Sequence, residues 1–203
     1  YIIADKVLIR ENEQHFYDEK VLYLKQSAIC LDDDLKKDFS KKTLKKEVST
    51  NRFVFVCFNN NYKISPDEFN IWGNLLRNIE ESYLWLKVSN EIAKNNLIKE
   101  ANKRGINSSR LIFADYVDFN EHINRHTEGD LFLDTFNYNA GSTAVIALLC
   151  GLPLLTLYGK SYHSRMSSSL LKSIDMDELI AYNKNEYEEK YKNGGTLSKP
   201  DIR

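Results

Sequence analysis

This chain predicts an α/β fold built on a Rossmann-like parallel sheet, and three observations carry that prediction. From Phe53 onward, short apolar runs alternate with amphipathic segments at the spacing of strand–helix–strand units. The segment Asn139-Ala-Gly-Ser-Thr-Ala144 stands between the strand-like Leu131–Thr135 and the apolar run Val145–Leu149. That layout offers the free N–H groups of a helix start to an anion. Upstream, Asn59-Asn-Asn-Tyr-Lys63 follows the apolar Phe53–Phe58 where a buried strand would end. A cation and several amides then lie on the edge where open α/β sheets bind ligands.

Taken in order, the two alternating runs Lys6–Ile9 and Lys20–Leu24 read as short strands joined by the polar Arg10–Glu19. Asp32–Glu47 is a mixed-charge block with few apolar residues, and its Asp32-Asp33-Asp34 run reads as solvated charge rather than a metal-holding motif. Five strands are expected at Phe53–Phe58, Tyr83–Val88, Leu111–Ala114, Asp130–Asp134 and Pro153–Leu157. The helix expected over Pro66–Ile79 puts Phe69, Trp72, Leu75, Leu76 and Ile79 on one face, with Ser65 as N-cap and Pro66 in the first turn. Ile92–Arg104 stops at Gly105, and helices over Asn120–His126, Ser142–Cys150 and Tyr162–Ser173 follow. Trp72, Trp85 and Phe69 fall at core spacing and read as packing. The pattern divides the chain into an N-terminal segment (1–49), a Rossmann-like domain (50–182) and a C-terminal helix, Lys184–Lys192, with a tail (183–203).

The 203 residues are 42% hydrophobic, enough for a domain-sized core, and a net charge of −1 gives no global attraction to nucleic acid or anionic membrane. The longest apolar stretch, Ala144–Leu157, is too short to span a bilayer and is broken by Gly151-Leu-Pro153. Cys30, Cys57 and Cys150 are too far apart for a disulfide framework, so free thiols and a reducing, cytoplasmic setting are expected, with Cys57 and Cys150 buried. The chain opens at Tyr1 rather than Met, so no targeting signal is read from it.

Among candidate site residues, Gly141 permits close approach of the backbone, while Ser142 and Thr143 offer hydroxyls at the helix start; an ordinary N-cap is the plainer alternative. Lys63 can neutralise a diphosphate as it leaves, although most lysines are simply solvated. His122 and His126 share a helix face, but no further ligand stands at a metal-site spacing, so no metal is expected. Arg165, early in its helix, can reach the same sheet edge, though an exposed arginine is the default. Ser142 lacks a nucleophile elbow.

The chain also resembles a known family. Tyr1-Ile-Ile-Ala-Asp5, Glu19-Lys-Val-Leu-Tyr-Leu24, Val56-Cys-Phe-Asn-Asn-Asn-Tyr-Lys-Ile-Ser-Pro66, Ser82-Tyr-Leu-Trp-Leu86, Arg110-Leu-Ile-Phe113, Glu121-His122, Asp130-Leu-Phe-Leu-Asp-Thr135, Tyr138-Asn139, Gly151-Leu-Pro153, Ser164-Arg165 and Glu178-Leu-Ile180 occur in that order. Together they resemble the C-terminal part of the catalytic region of O-linked N-acetylglucosamine transferases and SPINDLY-type relatives, often fused to tetratricopeptide repeats. The resemblance implies the C-terminal lobe of a GT-B glycosyltransferase. Such a lobe binds a nucleotide-sugar donor, UDP-N-acetylglucosamine first among them, without a metal or other cofactor, for transfer to Ser/Thr hydroxyls of a protein acceptor. Residues 1–49 are then the remnant of the preceding lobe and a linker.

By the same resemblance, Lys63 is the lysine that neutralises the donor diphosphate, and Asn60 stands where the animal enzymes carry a nearby glutamine. His122 is placed against the nucleotide base, Arg125 is a uridine-contacting arginine, and Ser142 and Thr143 match a phosphate-binding threonine pair. The departures are Gly141 for a histidine, Ile146 for a donor-fixing aspartate and Phe119 for a lysine near the base. They bear on donor affinity and identity, leaving open a GDP-fucose-using relative and a non-catalytic module with a decayed pocket. Without the missing N-terminal lobe the chain is not expected to turn over.

Overall fold

The computed structural model describes residues 1–30 and 52–192. The charged block Asp32–Glu47 and the tail with Gly194-Gly195 lie outside the described residues. Two short strands, β1 (Ile2–Ala4) and β2 (Val21–Tyr23), pair in parallel at the N-terminus. The main sheet holds β3 (Phe53–Cys57), β4 (Ser82–Lys87), β5 (Leu111–Ala114), β6 (Leu131–Leu133), β7 (Leu154–Leu157) and β8 (Ile180–Ala181) in the order β5-β4-β3-β6-β7-β8. Every neighbouring pair is parallel. Between the strands run α1 (Pro66–Asn78), α2 (Glu91–Lys103), α3 (Phe119–Arg125), α4 (Ser142–Leu149) and α5 (Met166–Ser173), with α6 (Lys184–Lys192) last.

Both faces of the sheet are covered, which is why its strands read as unbroken apolar runs. Along β3, Phe55 and Cys57 join Trp72, Leu75 and Leu76 of α1 in one core, while Val54 and Val56 join Ala144, Val145 and Leu148 of α4 in the other. Trp72, Trp85 and Phe69 are all buried packing residues. Helix α1 starts with Ser65 and Glu68 in a reciprocal cap, Ser65 N donating to Glu68 Oε2 at 3.0 Å, and with Pro66 in the first turn. The other carboxylate oxygen of the buried Glu68 accepts the N–H of Phe136 at 2.7 Å, tying the start of α1 to the loop after β6. Asn90 and Asp118 cap α2 and α3 through backbone N–H groups at 2.8 and 2.9 Å. After α2, Gly105 turns the chain at φ +69°, the left-handed geometry glycine adopts without a Cβ penalty.

Four expectations need correction. The first strand is Ile2–Ala4, not Lys6–Ile9, because Asp5 Oδ1 accepts the N–H groups of Val7 and Leu8 and folds that stretch into a turn. Leu8 and Ile9 are both fully buried, which an alternating strand with one inner face does not allow. The sheet has a sixth strand, β8, whose two residues pair with Thr156 and Leu157 and are too few to show a periodicity. The helix expected over Tyr162–Ser173 is a single 3-10 turn, Tyr162–Ser164, then α5, broken at Arg165. Of the two cysteines expected to be buried, Cys57 is and Cys150 is only half-buried.

Helix α6 lies back on the domain. Tyr187 is fully buried, stacks edge-on against Phe136 with centroids 5.0 Å apart, and Lys184 pairs with Asp67 at 2.6 Å. No helix among the described residues is long and apolar enough to cross a membrane.

Candidate functional site

The strand order reverses between β3 and β6, so the connections leaving their carboxyl ends part to opposite sides and open a crevice. Phe58–Lys63 leaves β3, and Asp134–Gly141 leaves β6 into α4. The fully buried Asp134 organises the crevice. Its Oδ1 accepts from Asn59 Nδ2 (3.1 Å), Thr135 N (2.9 Å) and Ala140 N (2.7 Å), and its Oδ2 accepts from Thr156 Oγ1 (2.7 Å). Burial raises its pKa, and these donors oppose the rise. One carboxylate thereby pins the β3 loop, the β6 loop and the approach to α4.

Asn139 is buried as well, its side-chain amide donating to Thr135 O at 2.7 Å, so its carbonyl is held in place. Lys63 Nζ donates to that carbonyl at 3.1 Å and sits 3.9 Å from the centre of the Tyr138 ring. The amine is attracted by a carbonyl dipole and an aromatic face and, among the described residues, is in contact with no carboxylate. Burial lowers its pKa, with Asp134 pulling the other way from behind. Gly141 leads into α4, whose first residues are Ser142 and Thr143. A Cβ on Gly141 would lie 3.0 Å from Met166 Cε, so Met166 occupies the space a side chain there would take.

These parts share one cavity of about 450 Å³, lined by Asn60, Lys63, Gly141, Ser142 and Thr143 together with Phe58, Asn59, Tyr62, Lys87, Tyr138 and Met166. No Asp or Glu is among the lining residues. Two ammonium groups, hydroxyls and the start of α4 make the cavity chemically suited to an anion with more than one charge.

His122 and Arg125 stand outside that lining, on α3. His122 is 5.7 Å from the Phe58 ring, and burial with the charges of Arg125 and Lys87 lowers its pKa to about 4. Arg125 is buried, donates to Asp115 O at 3.0 Å and lies 5.8 Å from the Phe58 and Trp85 ring centres. His126 packs against both Phe58 and His122, and burial first of all takes its pKa to about 3. Among the described residues no three His, Cys, Asp or Glu side chains gather as metal ligands.

Arg165 does not reach the cavity. It is buried and donates to Glu13 through Nη1 at 2.7 Å and Nη2 at 2.9 Å, and to the carbonyl of Lys160. Phe119 is half exposed and Ile146 is buried, and neither lines the cavity. Sequence reasoning missed Asp134, Tyr138 and Lys87. Lys87 and Tyr138 were findable as residues at or just past the carboxyl ends of predicted strands on the ligand edge, whereas the role of Asp134 shows only once the fold gathers its partners.

Residues 39–199 match the description of Glycosyl transferase family 41. The chain is 28% identical over 197 residues to the Arabidopsis thaliana protein named probable UDP-N-acetylglucosamine–peptide N-acetylglucosaminyltransferase SEC, covering 94% of this chain and 20% of that protein. It is 33% identical over 134 residues to the UDP-N-acetylglucosamine–peptide N-acetylglucosaminyltransferase of Caenorhabditis elegans, covering 66% of this chain and 12% of that one. It therefore spans about a fifth or less of the length of these curated relatives. Its fold superposes on a mutant of the Thermobaculum terrenum O-GlcNAc transferase with a TM-score of 0.81 at 24% identity, covering 94% of this chain and 36% of that one. A parallel six-stranded sheet of this order, the end-to-end match in fold and the family match over most of its length lead to one conclusion: the chain belongs to glycosyl transferase family 41.

Proposed function

We propose that this chain is the donor-binding lobe of a glycosyltransferase that moves a sugar, N-acetylglucosamine from UDP-N-acetylglucosamine, to Ser/Thr hydroxyls of a protein. The observation that carries the reading is the convergence of Lys63 and the Ser142-Thr143 start of α4 in one cavity at the point where strand order reverses. Breaking the bond between sugar and diphosphate leaves negative charge on the departing diphosphate. A preorganised ammonium and helix start stabilise that charge more than they stabilise the intact donor, and so lower the barrier. The tether of Lys63 to Asn139 O fixes the amine before substrate arrives. His122 and Arg125, beside Phe58, take the nucleoside end in this reading, and Asn60 lies at the rim near the diphosphate.

Residues 1–49 belong in this reading to the preceding lobe and its linker, 50–182 to the donor domain, and 183–203 to the terminal helix and tail. Histidines of the upstream lobe would complete the catalytic set. In this reading the chain by itself binds donor without transfer. A cytoplasmic setting accords with the three free cysteines. The absence of any carboxylate from the cavity lining favours, as second reading, a lobe that keeps the nucleotide grip and has lost discrimination of the sugar, or one that takes GDP-fucose.

Calorimetry with UDP, GDP and UDP-N-acetylglucosamine, on the chain and on Lys63→Ala, tests the proposal. UDP binding that weakens in the variant is the expected result. If neither nucleotide binds at millimolar concentration, the donor-lobe reading fails. Transfer after restoring the upstream half would eliminate the non-catalytic module.

A further inference from the structure

The cavity has a second cation, one with no tether among the described residues. Lys87 is the last residue of β4 and pairs in register with Ala114 of β5, so it stands one strand outward from Lys63 on the same carboxyl edge. Its side chain is exposed and lines the cavity, and among the described residues it makes no hydrogen bond or ion pair. Several lysines elsewhere in the chain are tied down. Lys94, Lys103, Lys172, Lys184 and Lys190 each pair with a carboxylate, and Lys63 is tethered to a carbonyl.

Its position along the crevice assigns it a partner. Lys63 and α4 hold the β6 side of the cavity. Phe58 forms the floor on the β4 side, packed edge-on against Trp85 at 5.0 Å, and the His122 ring lies beyond it at 5.7 Å from Phe58. Trp85 and Lys87 are two apart on β4, so their side chains leave the same face of the strand. The Lys87 charge is felt at His122. Lys87 thus stands between the anion-binding start of α4 and the aromatic–histidine patch. Resting on the donor-lobe reading, a nucleoside diphosphate laid with its distal phosphate on α4 and its base toward His122 brings its nucleoside-proximal phosphate past Lys87.

We infer that Lys87 is a phosphate-binding residue of this site, a mobile clamp on the phosphate next to the nucleoside, complementing the fixed Lys63. An exposed ammonium on a flexible stem acts as a point charge that follows its ligand, at a modest and salt-screened gain. The fixed amine sets position, and the free one adds affinity and attracts the anion.

The test compares uridine, UMP and UDP binding to the chain and to Lys87→Met, with Lys103→Met as a control for loss of a surface charge elsewhere. Lys87→Met is expected to weaken UMP and UDP by a common factor of about two to five, the range of a solvent-exposed charge contact. Uridine affinity and melting temperature should be unchanged, the dependence of UMP affinity on salt should become shallower, and Lys87→Arg should restore it. UMP affinity in Lys87→Met equal to the parent chain, or an equal loss in Lys103→Met, overturns the assignment while leaving the donor-lobe reading intact. Failure of the parent chain to bind UDP or UMP at all sinks both.

Discussion

Lys63 and Arg165 are cations placed in the connections that follow β3 and β7, and the fold uses them in opposite ways. Arg165 is buried and faces a carboxylate, Glu13, through two parallel hydrogen bonds, and the guanidinium holds that carboxyl well below the usual range. Together with Asp5, which accepts from Ser169 Oγ at 2.7 Å and from Ala28 N at 2.9 Å, the pair fastens the N-terminal segment to α5. Lys63 is only half-buried and touches a carbonyl and a ring, with no contacting counter-ion among the described residues. A cation neutralised by its own chain serves folding. A cation held in place but not neutralised is available to a ligand's charge.

The largest effect should follow from breaking the neutralised pair. Arg165→Met strips Glu13 of two hydrogen bonds and one cation, while Arg10 stays in contact with the carboxylate, so the loss should be about 1.5–3 kcal/mol. Urea unfolding should register most of that loss. A change below about 1 kcal/mol would erase the distinction between the two cations.

Lys63→Ala should do the reverse. Stability should move by about 1 kcal/mol, since a carbonyl and an aromatic face lose a half-buried partner and no carboxylate among the described residues is left unpaired. UDP affinity should fall by roughly tenfold to a hundredfold, as expected for a charge-assisted contact of about 1.5–3 kcal/mol. The lowered pKa of Lys63 adds a pH signature. A bound phosphate supplies the missing counter-charge and raises that pKa, so binding takes up protons wherever the free amine is partly deprotonated. UDP affinity should therefore decline with rising pH sooner than for an ordinary lysine, and Lys63→Arg should abolish that alkaline decline. An affinity that stays flat in the parent chain through the ordinary lysine range would count against Lys63 as the contact.

On the acid side His122 of α3 and His126, which ends that helix, set the slope of stability with pH. His122 and His126 titrate near 4 and near 3 in the folded chain, against 6.5 for an unperturbed ring, because burial disfavours the charged form. With folded values depressed, the unfolded chain binds more protons below pH 6.5. Stability then falls as pH drops from 6.5 toward 4, by up to about 1.4 kcal/mol per pH unit for each histidine. His126→Phe should flatten this slope in a series of melts. An unchanged slope would show that His126 is protonated in the folded state.

How much of this was legible in the sequence differs between the two regions. The sheet edge was: Lys63, Gly141, Ser142 and Thr143 follow strand-like runs, and a parallel sheet delivers every such residue to one edge. The N-terminal segment was legible only in part: β2 lies within the expected Lys20–Leu24 strand, but the Lys6–Ile9 stretch is a turn because Asp5 captures N–H groups that a strand would have paired. Arg165 was legible as a residue but not in its role. Its partner Glu13 is 152 positions away, and no local pattern announces a pairing at that separation. Asp134 was hidden for a related reason: inside an apolar run it looks like a strand end, and only the fold brings Asn59, Ala140 and Thr156 around it.

The smallest expected effect asks whether the two regions communicate. Arg165 leads into α5, and Met166, its first residue, fills the space beside Gly141, while Ser167 donates to Ala140 O at 3.1 Å. Gly141→Ala places a Cβ 3.0 Å from the Met166 terminal methyl, tighter than ordinary contact but against the free end of a flexible side chain. Met166 can swing away, so the cost should stay near 1 kcal/mol, a melting shift of roughly 2–4 °C for a chain of this size. Met166→Ala removes the obstruction, and the double variant should therefore lose less than the two single losses combined, with a coupling of about 0.5 kcal/mol or more. If the losses simply add, Met166 does not confine Gly141. The helix fastened by Arg165 would then have no hold on the start of α4, and the folding cation and the ligand cation would belong to independent parts of the molecule.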